Sequence, residues 1–295
     1  MDIHDLRVFA AVARHLHYTR AARELGLSQP AVSARISVLE RDLGVRLLQR
    51  AGRGMALTAA GEVLAGEAAK VLARVDAARQ AVEEVKGLLR GRIRIGASTT
   101  PGIYLVPGAA ARFARAYPGV TLEVRVGNTL DIEEAVLRGD IHVGVVGGHL
   151  AAGTLHSEPL CDDELVVFAS PDHPLARRKS TELDEVLEHG FAVREKGSAT
   201  RERFERWLAE RSRACRAGVE LGSPEAVKRA VAEGAWLGAL SRVAVAWEVE
   251  AGRLKELRVR GLDLRRQFRV VRHAEGEGGR AVEEWVRVLR ESVAR

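Results

Sequence analysis

Two groups of side chains in this sequence have the type and spacing to do chemistry, and both suit recognition better than bond-making. The first lies in Ser28-Gln29-Pro30-Ala31-Val32-Ser33-Ala34-Arg35-Ile36-Ser37. A glutamine amide can make paired hydrogen bonds to an adenine edge, serine hydroxyls can bond phosphate or base edges, and Pro30 and Ala34 offer apolar surface that suits a thymine methyl. The second group is split between Ser98-Thr99-Thr100 and Arg194-Glu195-Lys196-Gly197-Ser198-Ala199-Thr200-Arg201. Hydroxyls and cations at a helix start favour a small anion. Catalysis would need a nucleophile with a base, or a metal set. His142, His149, His156, His173 and His189 are scattered, and no H-E-x-x-H, G-x-S-x-G or Walker pattern occurs. Cys161 and Cys215 lack metal-ligand or C-x-x-C spacing and read as idle thiols of a reducing compartment, with no metal site expected.

The first group requires a helix with a defined start. Ser28 can cap it, Pro30 tolerates its first turn, and Val32, Ile36, Leu39 and Leu43 give it one apolar stripe. Pro30, Ser33, Ala34, Ser37 and Arg41 then share the opposite face, which is small, polar and almost free of acid. Upstream, Thr19 to Leu25 reads as a short helix stopped by Gly26, so the pair has helix-turn-helix spacing. A plain helical hairpin in a core shares that spacing. A first helix from Asp2 or His4, with Leu6, Phe9, Val12 and Ala13 on one side, would pack beneath the pair.

After Gly44, Val45 to Arg50 and Met55 to Thr58 read as two short strands around the basic turn Ala51-Gly52-Arg53-Gly54, a wing whose Arg50 and Arg53 suit backbone or minor-groove contact. Thr58 caps a long helix running to about Leu89. Its apolar positions Leu64, Ala68, Val71, Val75, Ala78, Val82, Val85 and Leu89 alternate steps of four and three, the period of a seam between two helices. Dimerisation through that seam would hold two recognition helices at a fixed separation.

Composition agrees with two domains and a polyanionic partner. The chain has 295 residues, 46% hydrophobic and only 4% aromatic, so its cores are aliphatic. Net charge is +6, and through Leu57 nine Lys/Arg stand against five Asp/Glu. No apolar run approaches a bilayer's span, and the acidic start lacks the layout of a secretion signal, so a cytoplasmic protein without membrane contact is expected. Beyond Gly87 and Gly91 the pattern alternates strands and helices. Strands are expected at Ile93–Ala97, Val120–Val126 and Ile141–Val146, with one helix carrying Leu105, Val106 and Phe113 and another over Ile132–Leu137. A second α/β unit starts near Glu164, with Leu165–Ala169 and Leu237–Leu240 as strands and helices at about 200–212 and 224–233. Phe268–Val271 leads into a last helix burying Val282, Trp285, Val286 and Leu289.

The run YTRAARELGLSQPAVSARISVLERDLGVRLLQR resembles, without gaps, the N-terminal signature of LysR-type bacterial transcriptional regulators. The order of the later pieces resembles the LysR effector domain, less specifically. The resemblance implies an α+β multidomain chain: a winged helix-turn-helix over 1–58, a coiled-coil linker and dimerisation helix over 59–90, and a two-lobed effector domain over 91–295 that is similar to a periplasmic solute-binding protein. Lobe I would take about 91–161 and 266–295, and lobe II about 162–265, with crossings near Cys161–Asp163 and Arg265–Arg266. It implies a sequence-specific transcriptional regulator, not an enzyme. Its partners would be promoter DNA, a second copy in a homodimer or dimer-of-dimers tetramer, RNA polymerase, and a small co-inducer or co-repressor, with no cofactor. DNA-contacting residues would be Thr19, Ser28, Gln29, Pro30, Ser33, Arg35, Ser37, Arg50 and Arg53. Effector-contacting residues would be Ser98, Thr99, Thr100, Asn128, Thr129, Gly147, Lys196, Ser198, Thr200, Arg201 and Ser223, as in members that sense small anions of sulfur or carbon assimilation.

Two positions depart from the family pattern. Many members carry Arg where Ala34 stands, and Arg35 points about 100° further round the helix, toward backbone rather than a guanine edge. A Glu often stands where this chain has Gly147, so its pocket is less acidic and better suited to an anion. The rival readings are an enzyme, for which no catalytic grouping exists, and a periplasmic binding protein, which would not begin with a helix-turn-helix.

Overall fold

A computed structural model describes residues 1–51, 54–85, 91–148, 155–274 and 279–294, apart from several side chains late in the linker helix. The chain divides into two compact units, the first Met1–Leu88 with short stretches from 137–140 and 275–279, the second the remainder.

In the first unit α1 (Ile3–His15), α2 (Tyr18–Leu25) and α3 (Gln29–Leu43) enclose a core of Phe9, Val12, Val32, Ile36 and Leu39. Asp2 and Asp5 form a reciprocal capping box at the start of α1. Gly26 takes the left-handed conformation (φ 65°) that ends α2, and the Leu27 N–H bonds back to the Ala22 carbonyl, so the turn into α3 is tight. The apolar stripe of α3 stops one step early: Leu43 is exposed, because Gly44 (φ 68°) turns the chain away there. Strands β1 (Leu48–Ala51) and β2 (Gly54–Leu57) pair antiparallel, Arg50 opposite Met55. The expected first strand is shorter than Val45–Arg50, and Val45 lies exposed.

Helix α4 (Ala59–Val85) starts where Thr58 Oγ1 accepts the Gly61 N–H at 3.1 Å. Its expected seam is divided. Ala68 is buried in the core of its own unit and Leu64 packs against that core, so these two positions are covered within the chain. Val71 is 41% exposed and Ala78 is also exposed. Leu89 and the Val82 and Val85 side chains lie outside the described residues.

The second unit holds the two lobes. In the first, β3 (Gly91–Ser98) pairs in parallel with β4 (Val120–Gly127) on one side and β5 (Val143–Gly147) on the other. Helices α5 (Thr99–Tyr104), α6 (Val106–Ala116) and α7 (Thr129–Leu137) connect them. The Leu155–Ala169 stretch forms one fifteen-residue strand, β6, where only Leu165–Ala169 was expected. The second lobe continues with α8 (Leu183–Leu187), β7 (Gly190–Arg194), α9 (Ala199–Ala209), β8 (Arg216–Leu221), α10 (Pro224–Ala232), β9 (Leu237–Ser241), α11 (Arg242–Glu250) and β10 (Lys255–Glu256). Strand β11 (Arg265–His273) then lies antiparallel along β6 and against β5, and α12 (Gly279–Val293) buries Trp285 and Leu289 in the first lobe's core.

Strands β6 and β11 tie the lobes together. The N-terminal half of β6 pairs with β11, and its C-terminal half with β9 and β10. Their pairing shifts register between Phe268 and Arg269, where Pro159 on β6 has no N–H to give the ladder. Parallel strands end where helices begin, so β3, β4 and β7 deliver Ser98, Gly127 and Arg194 to one region.

Candidate nucleic-acid interface and effector cleft

The outer face of α3 is presented from its first turn. Ser28 Oγ accepts the Ala31 N–H at 3.3 Å as N-cap, and Gln29, Pro30 and Ala34 are exposed beside it. Ser37 donates to the Ser33 carbonyl at 3.0 Å, and Thr19 lies exposed at the start of α2. Arg35 has another task. Its Nη1 donates to buried Asp5 Oδ1 at 2.8 Å, bracing α3 on α1. Arg50 is exposed on β1, whereas Arg53 lies outside the described residues.

The wing is fastened by a residue that its acidic character hid. Glu40, buried on α3, accepts the Leu47 N–H at 2.8 Å and the Leu48 N–H at 3.3 Å, and pairs with Arg46 at 2.8 Å. Two N–H groups at the base of β1 thus find their acceptor across the turn.

The second candidate site is a narrow cavity between the lobes, with a volume of about 10 Å³. That is room for about one water. The first lobe supplies Ser98, Thr99, Thr100, Asn128, Thr129 and Gly147. From the second come Ser198 and Thr200, at the start of α9, together with Arg194. The lobes touch through Thr99, whose hydroxyl donates to the Gly127 carbonyl at 2.9 Å and accepts from Arg194 Nη2 at 3.2 Å. Ser98 Oγ accepts the Gly147 N–H at 3.2 Å.

Three expected contacts stand elsewhere. Lys196 points into solvent. Arg201 clamps the Arg194 carbonyl at 3.0 Å while pairing with Glu205 and Glu220, so its charge is already spent. Ser223 caps α10 by accepting the Ala226 N–H at 3.2 Å.

In their place the cavity gains two buried arginines and Phe268. Arg194, at the end of β7, forks onto Glu195 with two bonds of 2.7 Å. Arg266, from β11, has a side chain 4% exposed and donates through Nε to Asp163 at 2.6 Å and through Nη1 to Thr200 at 3.2 Å. Asp163 also accepts from Ser241 at 2.5 Å. Among the described residues no acceptor meets the buried Nη2 of Arg266. Burial, followed by the repulsion of Arg194 and Arg203, pulls the Arg266 pKa below its ordinary value despite Asp163. Sequence reasoning had both arginines within reach, one opening the REKGSATR segment and one at a proposed lobe crossing.

A polar tie joins the lobes at the other end of α5. The Tyr104 hydroxyl donates to Glu225 of α10, and buried Lys228 bridges Glu225 at 2.9 Å and Glu248 at 2.7 Å. Burial, with Glu225 adding to it, pushes the Tyr104 phenol up to about 12, so it stays a donor. Burial likewise raises the Cys161 thiol to about 11, which keeps it protonated.

The comparisons with known proteins agree with this geometry. Residues 3–62 match the bacterial regulatory helix-turn-helix protein, lysR family, and residues 86–294 match the LysR substrate binding domain. The chain belongs to the LysR family of transcriptional regulators. The RuBisCO operon transcriptional regulator of Allochromatium vinosum is 36% identical over 271 residues, covering 92% of this chain and 89% of that protein. Full-length OxyR from Pseudomonas aeruginosa superposes with a TM-score of 0.78 at 23% identity, over 98% of this chain and 95% of its own, a likeness of fold. The regulatory domain of CcmR from Synechocystis, solved in complex with 2-PG, has a TM-score of 0.64 at 27% identity, over 68% of this chain and 97% of its own. This LysR regulator is accordingly a DNA-binding protein with an effector-binding domain, not an enzyme. No described helix is long and apolar enough to cross a membrane.

Proposed function

We propose that this LysR regulator binds its operator as a cytoplasmic homodimer joined through α4, and as a tetramer of two such dimers, with a small anion held between the lobes setting how the DNA is gripped. The exposed start of α3 supplies the base-reading contacts: Gln29 to adenine, Pro30 and Ala34 against a thymine methyl, Ser28, Ser33 and Ser37 to phosphate or base edges. Thr19, Arg50 and Arg53 contact the backbone on either side. Two such helices in a dimer would meet half-sites about 34 Å apart on one face of the duplex. Exposed Val71 and Ala78 leave part of α4 open to a second copy.

The observation that carries the effector reading is the unpaired Nη2 of Arg266, buried in a cavity that a second arginine also lines. A buried guanidinium with an unmet donor is costly, and an anion in the cavity removes that cost. Gly147 strengthens the case. A Cβ there would lie 2.9 Å from the Phe268 ring and 3.4 Å from the Arg266 guanidinium carbon, so a glutamate at this position would stand beside Arg266 once that ring shifted. With glycine, Asp163 remains the carboxylate paired with Arg266, and an acceptor for the free Nη2 has to come from outside. That CcmR was solved with 2-PG in its regulatory domain supports testing anions first.

Since the cavity holds about one water, the lobes part to admit the anion and close over it. Only an effector with different affinity for the two arrangements can then alter DNA binding. Calorimetric titration with sulfate, phosphate and small carboxylates, repeated on Thr100→Ala and Ser198→Ala, tests the site. Binding to the wild type that weakens in both variants is expected; equal heats from all three proteins would remove the cleft as the effector site.

A further inference from the structure

Beyond the cleft, a larger cavity of about 440 Å³ runs between the outer face of α9 and strand β11. Arg203 and Arg206 line it from the helix, and Arg265, Arg266 and Arg269 from the strand. Two carboxylates, Glu202 and Glu210, share the lining, and Glu210 lies 3.6 Å from Arg211. Asp263 pairs with Arg265 at 2.6 Å, and Asp163 with Arg266.

The other three cations are different. Among the described residues no carboxylate pairs with Arg203, Arg206 or Arg269. Arg203 donates to the Arg265 carbonyl at 3.4 and 3.3 Å, and Arg269 to the Ser157 hydroxyl at 2.5 Å and carbonyl at 3.1 Å. Such neutral acceptors orient guanidinia without cancelling their charge. Among the described residues no aromatic ring lines the groove to stack a base.

We propose that this groove is a second anion site, separate from the interlobe cleft, and that it takes a multivalent oxyanion of the polyphosphate class. Multivalence follows from the layout: guanidinia without an ion-pair partner among the described residues sit on both the helix and the strand, and one carboxylate would engage only one side. The volume is far above what a lone water-sized anion needs. The groove also adjoins the lobe connection, since β11 pairs with strands of both lobes and Ala199 and Arg266 line both cavities. Gly148 (φ 142°) approaches α9 so closely that a Cβ on it would lie 2.6 Å from the Ala199 Cβ. Charge placed near Arg203 would relieve its repulsion of Arg266, so occupancy of the groove is coupled to the cleft without depending on an anion already being there.

The test is calorimetric titration of the full-length protein with inorganic pyrophosphate, comparing wild type, the double variant Arg203→Ala/Arg206→Ala, and Thr100→Ala. Circular dichroism melts confirm that each variant folds. The double variant should lose one bound pyrophosphate per chain or bind it at least ~10-fold more weakly, the scale of one lost charge-assisted contact. Thr100→Ala should keep that binding event, and orthophosphate should occupy the groove more weakly than pyrophosphate. Comparing wild type with the double variant cancels any binding by the basic DNA-contacting face. Failure of wild type to bind pyrophosphate, equal stoichiometry and affinity in the double variant, or loss of all binding in Thr100→Ala would overturn the proposal. So would displacement of pyrophosphate by an acidic peptide at lower concentration, which would assign the groove to a protein partner. The cleft reading fails separately, through Thr100→Ala and Ser198→Ala.

Discussion

The recognition face of α3 and the cleft of the effector domain solve opposite physical problems. On α3 most of the contacting groups stand exposed on a regular helix, and the core behind them does the positioning. In the cleft the polar groups are buried, come from widely separated segments, and satisfy one another incompletely. An exposed group that makes no bond within the fold can be changed at little cost to folding, so a substitution such as Gln29→Ala on the outer face of α3 should alter specificity alone. Buried charges couple function to stability, and changes in the cleft should move both.

The sharpest test of that contrast is Asp163→Ala, which leaves Arg266 buried without its carboxylate. Removing one partner of a buried ion pair costs about 3–5 kcal/mol. Calorimetric melting should show the effector domain destabilised by that amount while operator-half-site binding by the folded protein persists; an unchanged melting profile would show that the pair is not buried in solution. Glu40→Ala comes next and probes the one place where the DNA-binding unit resembles the cleft. Loss of a charged acceptor for two backbone donors costs about 1.5–3 kcal/mol, and the expected result is a less stable head with a loosened wing, read by hydrogen exchange at Leu47 and Leu48. Protection equal to wild type at both amides would contradict it.

Gln29→Ala should leave stability alone and lose ~1–3 kcal/mol of discrimination at one base pair. A base-substitution series with unchanged preference would take Gln29 out of the reading set. The smallest effect concerns pH. Burial, with His189 adding to it, holds the His173 pKa below its ordinary 6.5, and His173 Nδ1 accepts the Leu175 N–H at 3.2 Å. Its folded pKa is lower than its unfolded one, so the unfolded chain binds the extra proton first. Stability from this group is present above about pH 6.5 and is lost as pH falls from there toward the folded value. In His173→Asn, which keeps a capping acceptor, the decline in melting temperature between pH 7.5 and 5.5 should be shallower; an identical slope would acquit His173.

The same contrast explains what could be read from sequence. Ser28, Pro30, Gly26 and the four-three steps of Val32, Ile36 and Leu39 are local signals, and they located α2 and α3 closely. The hydroxyls Ser98, Thr99 and Thr100 were legible for the same reason, since a strand end and a helix start are adjacent in the chain. Strand β7 was missed because its five residues lack alternation and are buried almost throughout, and with it went the placement of Arg194. Arg266 depends on Asp163, more than a hundred positions away, a pairing that no window of sequence contains. Leu64 and Ala68 carried a true heptad rhythm, yet the core of their own unit covers them, because periodicity says that a face is apolar and not what covers it.

The central claim is that a captured anion alters the hold of paired recognition helices on DNA, and footprinting on the protein's own upstream DNA tests it most directly. With and without saturating phosphate or the tightest anion from the titration series, the wild type should protect two half-sites about one helical turn apart, with an extent or affinity that shifts on adding the anion, and Thr100→Ala should show the half-sites without the shift. Identical footprints in all conditions, or protection of a single half-site by a monomer, would contradict it.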